Sequence, residues 1–597
     1  MTAGQKSFIH KALIILGIVA LGASLRLYSL TSDPPDYLSW SAAVYVDEGY
    51  KALDARNTIK YGANRWSQFD EYGGHKESSR VIYAAQLWIF KHFGLSILNL
   101  RYFNVILSLC IIAIFLATIS AYFPKRTVFL IGLALAINVI FLFHSRMALY
   151  EMPMIFFGVL LLPPMLYFSH GENFKSGARR WIYAVFLAAL VAVVTLVGMK
   201  MKGSFAIYMG SILAGFFFAV LVPYSRKRML PRILELKNLF LAAIVCIFAI
   251  SFILYTFQAN LGFQVRYLGN PLILLGKIWF MEVIYLQPNT FIFCVLCVIA
   301  VLKILFSEKY VGYGNERLRQ FQVDIFFTIQ FLFSFIVVYM SSYSPLRYFL
   351  FCEIPMLYLA ARFVGNYTNE LKIIGSPAKK KRSPVASALI FLLVFYIIMQ
   401  FIIFIVMLFV SYENRKIIFD QFYMNLSRGN LLNANAYYVF TLMLLVIPVV
   451  YYITKYFNDV VGFIKRHVSS KLMVFLLIEI QLIYLLSWQF NKTDRLRECM
   501  NYVNSLPGDS VIIGDWAPMV AFESDMRIIY SNPDDRRNVR NIAKLRPDYV
   551  VVKSNKNEED TYNHYDPGLV DRDNFLYGFY VQGFDIRIYR VDKYRKK

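Results

Sequence analysis

In "YVDEGYKALDARN", residues 45–57, two carboxylates stand side by side: Asp47 and Glu48. They lie just past a long apolar stretch, in a chain of which only 17% is charged. A carboxylate can take a proton from an acceptor hydroxyl or hold a cation. Further ionisable residues sit beside apolar runs. "HKESS" carries His75, Lys76 and Glu77, and "FHSRMALYEMP" carries His144, Arg146 and Glu151. "GMKMKGS" supplies Lys200 and Lys202, and "FQANLGFQVRYLGN" supplies Gln258, Gln264 and Arg266. "SSYSPLRYF" adds Arg347 and Tyr348. Such a set could combine a base, phosphate-holding cations and metal ligands. Each residue also has a plainer reading. Asp47 could cap a helix beginning "EGYKALDARN", although no Glu or Gln stands three places later to complete a capping box. Arg146, Lys200, Lys202 and Arg347 could snorkel at a membrane surface. The two histidines could be structural.

What would bring these residues together is a membrane. The chain has 597 residues, is 58% hydrophobic and has a mean hydropathy of +0.50. A soluble protein could not cover so much apolar surface. Many runs reach the ~20 residues a helix needs to cross a bilayer. The expected class is a polytopic α-helical membrane protein with about 13 spans, placed near 8–28, 97–122, 128–143, 152–169, 181–199, 204–222, 239–257, 289–306, 323–342, 346–364, 386–411, 437–456 and 471–488. The first run is read as a retained helix, not a signal peptide, because many spans follow.

The net charge of +24 is concentrated in alternate short loops, including "FPKRT", "HGENFKSGARR", "PYSRKRMLPR" and "SPAKKKRSP". That is the positive-inside pattern, not a nucleic-acid surface. It places the N-terminus in the cytoplasm and, with an odd number of spans, residues 489–597 outside. All the candidate residues then fall at or near the outer surface. Two segments are large on that side. Residues 29–96 contain "SSRVIYAAQLWIFKHFG", read as an interfacial helix. Residues 489–597 turn polar, with strand-like runs "SVIIGD", "RIIYS", "DYVVVKS" and "FDIRIYRV" and a helical "DDRRNVRNIAKLRP". They read as a small α/β domain, and residues 1–488 as the transmembrane domain. Cys294 and Cys297 form C-x-x-C inside an apolar run, which is read as packing and not redox chemistry.

The order of "VDEGY", "HKESSRVIYAAQLWIFKHFGLS", "LRYFNVILSL", "SRMALYEMPMIFF", "GMKMKGSF" and "PLRYFLFCEIPMLYL", followed by an outer domain, resembles one family. It is similar to the type-C glycosyltransferases that use polyprenyl-phosphate-linked sugars, in the protein O-mannosyltransferase and lipid A aminoarabinose-transferase branch. The resemblance implies an inverting hexosyl- or pentosyltransferase in the inner membrane. Its partners would be a polyprenyl-phosphate sugar donor, the bilayer, and a protein, lipid or glycan acceptor, with no nucleic acid. By position, Asp47 matches the catalytic base and Glu48 completes the acidic pair. Lys76, Glu151, Lys202, Arg347 and Tyr348 match substrate-binding or scaffolding positions, and Arg266 joins Lys202 and Arg347 as a candidate for the leaving phosphate. A divalent metal would draw on Glu48, Glu77, His75 or Glu151. "ESS" stands where a proline pair is common, and Glu151 where an Asp is usual. The rival reading is a multi-pass transporter or flippase for a lipid-linked sugar.

Overall fold

The computed structural model describes residues 3–33, 43–62, 80–170, 177–225, 291–306, 315–340, 346–365, 448, 470–531, 542–554, 556–581 and 584–594. Backbone facing lipid must satisfy its own hydrogen bonds, so the apolar runs become helices. Helix α1 (Ala3–Leu27) is followed by α2 (Ala43–Tyr61) and α3 (Arg80–Phe93). Then come α4 (Ile97–Ser120), α5 (Lys125–Ile137), α6 (Val139–Ser145), α7 (Glu151–Leu160) and α8 (Leu162–Ser169). The membrane part continues with α9 (Gly177–Met201), α10 (Phe205–Ser225), α11 (Phe291–Phe306), α12 (Asn315–Met340), a 3-10 turn (Leu346–Phe349), α13 (Leu350–Gly365) and α14 (Ser470–Phe490).

Among the described residues, seven helical stretches are long and apolar enough to span a membrane, with α7–α8 counted as one and the 3-10 turn with α13 as another, or up to eight if the bent pair α5–α6 is one span. The expected count of 13 is therefore not reached within them. The spans expected at 239–257 and 386–411, and all but Pro448 of 437–456, lie outside the described residues. Phe8, Leu16, Trp181, Ile182 and Leu196 expose their side chains on α1 and α9, as a lipid-facing surface should. Helix α3 buries Ile82, Gln86, Ile89 and Phe90 and exposes Trp88 and Phe93. This one-sided pattern suits the expected interfacial helix.

The expected span at 128–143 is broken by a 57° bend between α5 and α6. A break frees backbone groups that must find partners. Asn138 Oδ1 accepts from Phe141 N at 2.8 Å, and Gln481 Oε1 from Val139 N at 3.1 Å. Arg26 donates to Ala136 O at 3.2 Å and to Leu135 O at 3.4 Å. Polar side chains from the first and last described spans thus serve the break itself.

The C-terminal domain comprises α15 (Arg495–Asn504), β1 (Val511–Gly514), α16 (Ala517–Val520), β2 (Arg527–Tyr530), α17 (Ile542–Leu545), β3 (Tyr549–Lys553), α18 (Lys556–Tyr565), β4 (Phe575–Val581) and β5 (Phe584–Arg590). The sheet order is β2-β1-β3-β5-β4. β1 runs parallel to β2 and β3, and β5 antiparallel to β3 and β4. Four strands coincide with the expected runs. β4, "FLYGFYV", was not anticipated, because its glycine and aromatics lack a clean alternation; nor was α15. Only Ile542–Leu545 of the expected helix "DDRRNVRNIAKLRP" is helical within the described residues, and residues 532–541 lie outside them.

This domain is docked on α2. Arg56 is fully buried and donates to Phe522 O (2.6 Å), Ser524 O (2.7 Å) and Met526 O (2.9 Å). Gly49 faces the Pro518–Met519 backbone so closely that a Cβ there would lie 2.6 Å from it. Tyr50 packs against Tyr530 with ring centroids 4.6 Å apart. A second tie joins the end of α1 to the domain: Asp33 N donates to Thr493 O at 2.6 Å, and Leu496 N donates to Asp33 Oδ2 at 3.1 Å. Cys294 and Cys297 are buried on α11, and the Cys294 thiol donates to Met356 Sδ at 3.4 Å.

Candidate functional site

Helix α2 begins at Ala43, so Asp47 lies inside its second turn and does not cap it. Its side chain is 18% exposed, whereas that of Glu48 is completely buried. Successive helical residues point about 100° apart, so two adjacent acids reach different neighbours. Glu48 takes the inward path. Arg101 on α4 holds it with two hydrogen bonds, Nε to Oε1 at 3.0 Å and Nη2 to Oε2 at 2.7 Å. Ala148 N also donates to Oε1, at 2.5 Å. This carboxylate is fully engaged in a balanced pair, and it helps pin the 146–150 turn. Asn104 completes that anchoring through Met147 O (2.6 Å) and Leu149 O (2.8 Å).

The pinned turn fixes the position of Glu151 at the start of α7, where the helix dipole favours an acid. Glu151 Oε1 pairs with Lys202 Nζ at 2.6 Å and lies 3.5 Å from Arg347 Nε. Arg347 also pairs with Asp47 Oδ2. Lys51, one turn after Asp47, approaches the same oxygen at 3.2 Å. Lys202 sits over the Tyr348 ring at 4.9 Å and Lys51 over Tyr150 at 5.1 Å. Four elements therefore converge: α2, the start of α7, the α9–α10 turn and the 3-10 turn before α13. Two carboxylates face three cations, Lys51, Lys202 and Arg347, leaving a surplus of one positive charge. Glu151 Oε2 is buried and has no hydrogen-bond partner among the described residues.

The electrostatics follow from this crowding. Burial raises the Asp47 pKa, but Lys51, Arg347 and Lys202 together outweigh it, so the carboxyl titrates below its ordinary value. Burial lowers Lys51 to about 8, partly offset by Asp47 and reinforced by Lys202 and Arg347. Lys51 thus gives up its proton at about 8, close to neutrality.

The remaining candidates lie elsewhere. His144 is buried, its Nδ1 2.9 Å from Ile140 O. Arg146 stacks over Trp488 at 4.6 Å, and Lys200 is exposed. His75, Lys76, Glu77, Gln258, Gln264 and Arg266 lie outside the described residues. Lys51 and Tyr150 were missed from sequence, although the four-residue spacing of Asp47 and Lys51 stood in the opening stretch. The partner of Glu48, Arg101, lies in "LRYF", the same tetrapeptide that contains Arg347.

Among the described residues, no group of three or more His, Cys, Asp or Glu side chains could hold a metal ion. The described acids do not fit one: Glu48 is closed by Arg101, and Lys51, Lys202 and Arg347 surround Asp47 and Glu151.

No family model and no curated protein matches the chain. Among solved structures it is similar to ArnT from Cupriavidus metallidurans bound to undecaprenyl phosphate, at 12% identity and a TM-score of 0.45, covering 98% of each chain. It is also similar to the archaeal oligosaccharyltransferase AglB from Archaeoglobus fulgidus in complex with an inhibitory peptide and a dolichol-phosphate. There the identity is 12% and the TM-score 0.47, covering 92% of this chain and 70% of that one.

Proposed function

We propose that the protein is an integral-membrane glycosyltransferase that moves a sugar from a polyprenyl-phosphate donor to an acceptor hydroxyl at the outer membrane face. One observation carries the reading: Asp47 and Glu151 share a partly open cluster with an excess of cations, at the ends of membrane helices. An anionic leaving group needs the cations Arg347 and Lys202, and an attacking hydroxyl needs the carboxylate.

Asp47 Oδ2 is held by Lys51 and Arg347, which leaves Oδ1 to take the acceptor proton. As that proton leaves, the acceptor oxygen attacks the anomeric carbon and the bond from carbon to phosphate oxygen breaks. The phosphate departs with the electron pair, stabilised by Arg347 and Lys202. A single displacement inverts the anomeric centre. Donor binding competes with Asp47 for Arg347, so the phosphate itself makes the base stronger. Arg266 and Lys76 are assigned as additional donor contacts, Tyr348 as the packing surface for Lys202, and Glu48 as a support for the base. The sugar is a hexose or pentose, and the acceptor a protein, a lipid or a glycan.

The alternating basic loops support a cytoplasmic N-terminus in an inner membrane. We assign residues 1–488 to the transferase domain and 489–597 to an extracytoplasmic domain. The bent pair α5–α6 would favour a transporter if its polar neighbours formed a substrate site. Arg26, Asn138 and Gln481 instead bond to backbone groups freed by the bend.

The test is transfer from polyprenyl-phosphate-linked sugars by the purified chain in proteoliposomes. Asp47→Asn should lower turnover by about 10²–10⁴-fold while the variant remains folded. Near-normal turnover would overturn the assignment of Asp47.

A further inference from the structure

The C-terminal sheet has one face that the transfer reading leaves unused. Strands β4 and β5 pair with Phe575 opposite Tyr589, Gly578 opposite Arg587 and Tyr580 opposite Asp585. These residues, with Arg572, line a groove of about 490 Å³, a volume within the range of small-ligand sites. The opposite face of β4 is covered where Tyr577 stacks on Tyr502 of α15 at 4.7 Å; Phe579, whose ring meets Trp516 at 6.0 Å, also contributes to the groove lining. On the groove side, α18 reaches β5 through a hydrogen bond from Tyr589 OH to Glu559 Oε1 at 3.2 Å.

The details suit one kind of ligand. Gly578 has no side chain, so the Phe575 ring lies over it; a Cβ there would meet the ring at 3.2 Å. The ring is supported from below yet 49% exposed, and Tyr580 is 38% exposed at the other end. The polar groups between them are paired. Arg587 donates twice to Asp585 Oδ2, at 3.1 and 2.8 Å, and Arg572 pairs with Glu559 at 3.0 Å. The lining carries Arg572, Arg587 and Asp585, and the second arginine charge is offset by Glu559, which pairs with Arg572 from behind the lining, so the groove holds no surplus charge for a phosphate or a polyanion. A charged floor is equally unsuited to the apolar face of a helix. A neutral polyol fits both requirements. Its C–H faces can lie on the aromatic rings, and its hydroxyls can accept from the guanidinium groups and donate to Asp585.

We infer that the β4–β5 groove is a binding site for a neutral saccharide, separate from the Asp47 cluster. The site holds a glycan against the outer domain and performs no chemistry on it. The inference does not depend on the transferase reading, because it rests on residues of the C-terminal sheet alone.

Titration of the purified full-length chain in detergent with mannohexaose, cellohexaose and chitohexaose tests it, with polygalacturonate and an extended neutral peptide as comparison ligands. At least one neutral hexaose should bind. Phe575→Ala and Tyr580→Ala should each weaken it about 2- to 12-fold, the range expected for one aromatic contact. Both rings are substantially exposed, so an unchanged melting temperature certifies the fold of each variant. The inference is overturned if none of the hexaoses binds, if binding survives the double substitution Phe575→Ala with Tyr580→Ala, or if only the polyanion or the peptide binds.

Discussion

The tetrapeptide LRYF occurs twice, at residues 100–103 and 346–349, and its two arginines divide the adjacent acids of α2 between them. Arg101, in the regular helix α4, forms a bidentate pair with Glu48 in which both side chains are 6% exposed or less. Arg347, in a 3-10 turn, bridges Asp47 and Glu151 in company with Lys51 and Lys202. The tyrosines differ too: Tyr102 is 42% exposed and Tyr348 only 6%. One centre is closed and electrically balanced, as a buried ion pair must be to persist. The other is partly open and carries a surplus cation. Identical local sequence thus gives a closed structural clamp in one place and a partly open charged cluster in the other. Charge balance and access distinguish them.

Substitution should separate the two centres, with the largest effect at Asp47. Asp47→Asn should remove about 10²–10⁴-fold of sugar transfer with little change in melting temperature; a large stability loss would erase the contrast between the centres. Glu48→Gln should do the reverse. It leaves the Arg101 charge buried without its counterion, at a cost of about 3–5 kcal/mol, seen as a lowered thermal midpoint in detergent. Turnover per folded molecule should change far less than in Asp47→Asn. Arg347→Met should weaken use of the phosphate-linked donor by an amount equivalent to about 1.5–3 kcal/mol, the range for a hydrogen bond to a charged group. Equal loss with donor analogues lacking the phosphate would contradict its role.

The smallest effect concerns pH. Lys51, lowered to about 8 by burial, is charged below that pH and neutral above it. Losing its charge relieves Asp47 of one stabilising cation, and Asp47 stays ionised while becoming the stronger base. Transfer should therefore rise through pH 8 in the parent chain. Lys51→Met should flatten that rise and keep the rate near its high-pH level. A rise that persists in the variant would assign it to another group. For stability the sign is also fixed: a lysine whose folded pKa lies below its unfolded value makes folding more favourable as pH climbs from about 8 toward the ordinary lysine range.

Periodicity, charge and residue type carried much of the fold and part of the site. Long apolar runs had to become helices, because lipid offers no partner for backbone N–H and C=O groups. The strands "VIIG", "RIIY" and "YVVVK" were legible because β-branched and aromatic residues cluster there between turn signals. β4 was not, since Gly578 is explained only by the Phe575 ring that lies on it. The bend at Asn138 was equally hidden: the run reads as continuous, and the partners that stabilise its break, Arg26 on α1 and Gln481 on α14, lie far apart in the chain. Asp47, Glu151, Lys202 and Arg347 could be named as ionisable groups at the ends of apolar runs, where burial is costly and function common.

What the sequence by itself determined is that this chain enters a membrane and carries ionisable groups at one expected surface of it, because hydropathy and the positive-inside bias act locally. Which of two adjacent acids faces inward, and which of two identical LRYF segments holds each of them, only the tertiary structure decided. A rotation of 100° per helical residue sends neighbours in sequence to different neighbours in space, and the charge balance each one meets is assembled from helices far apart in the chain.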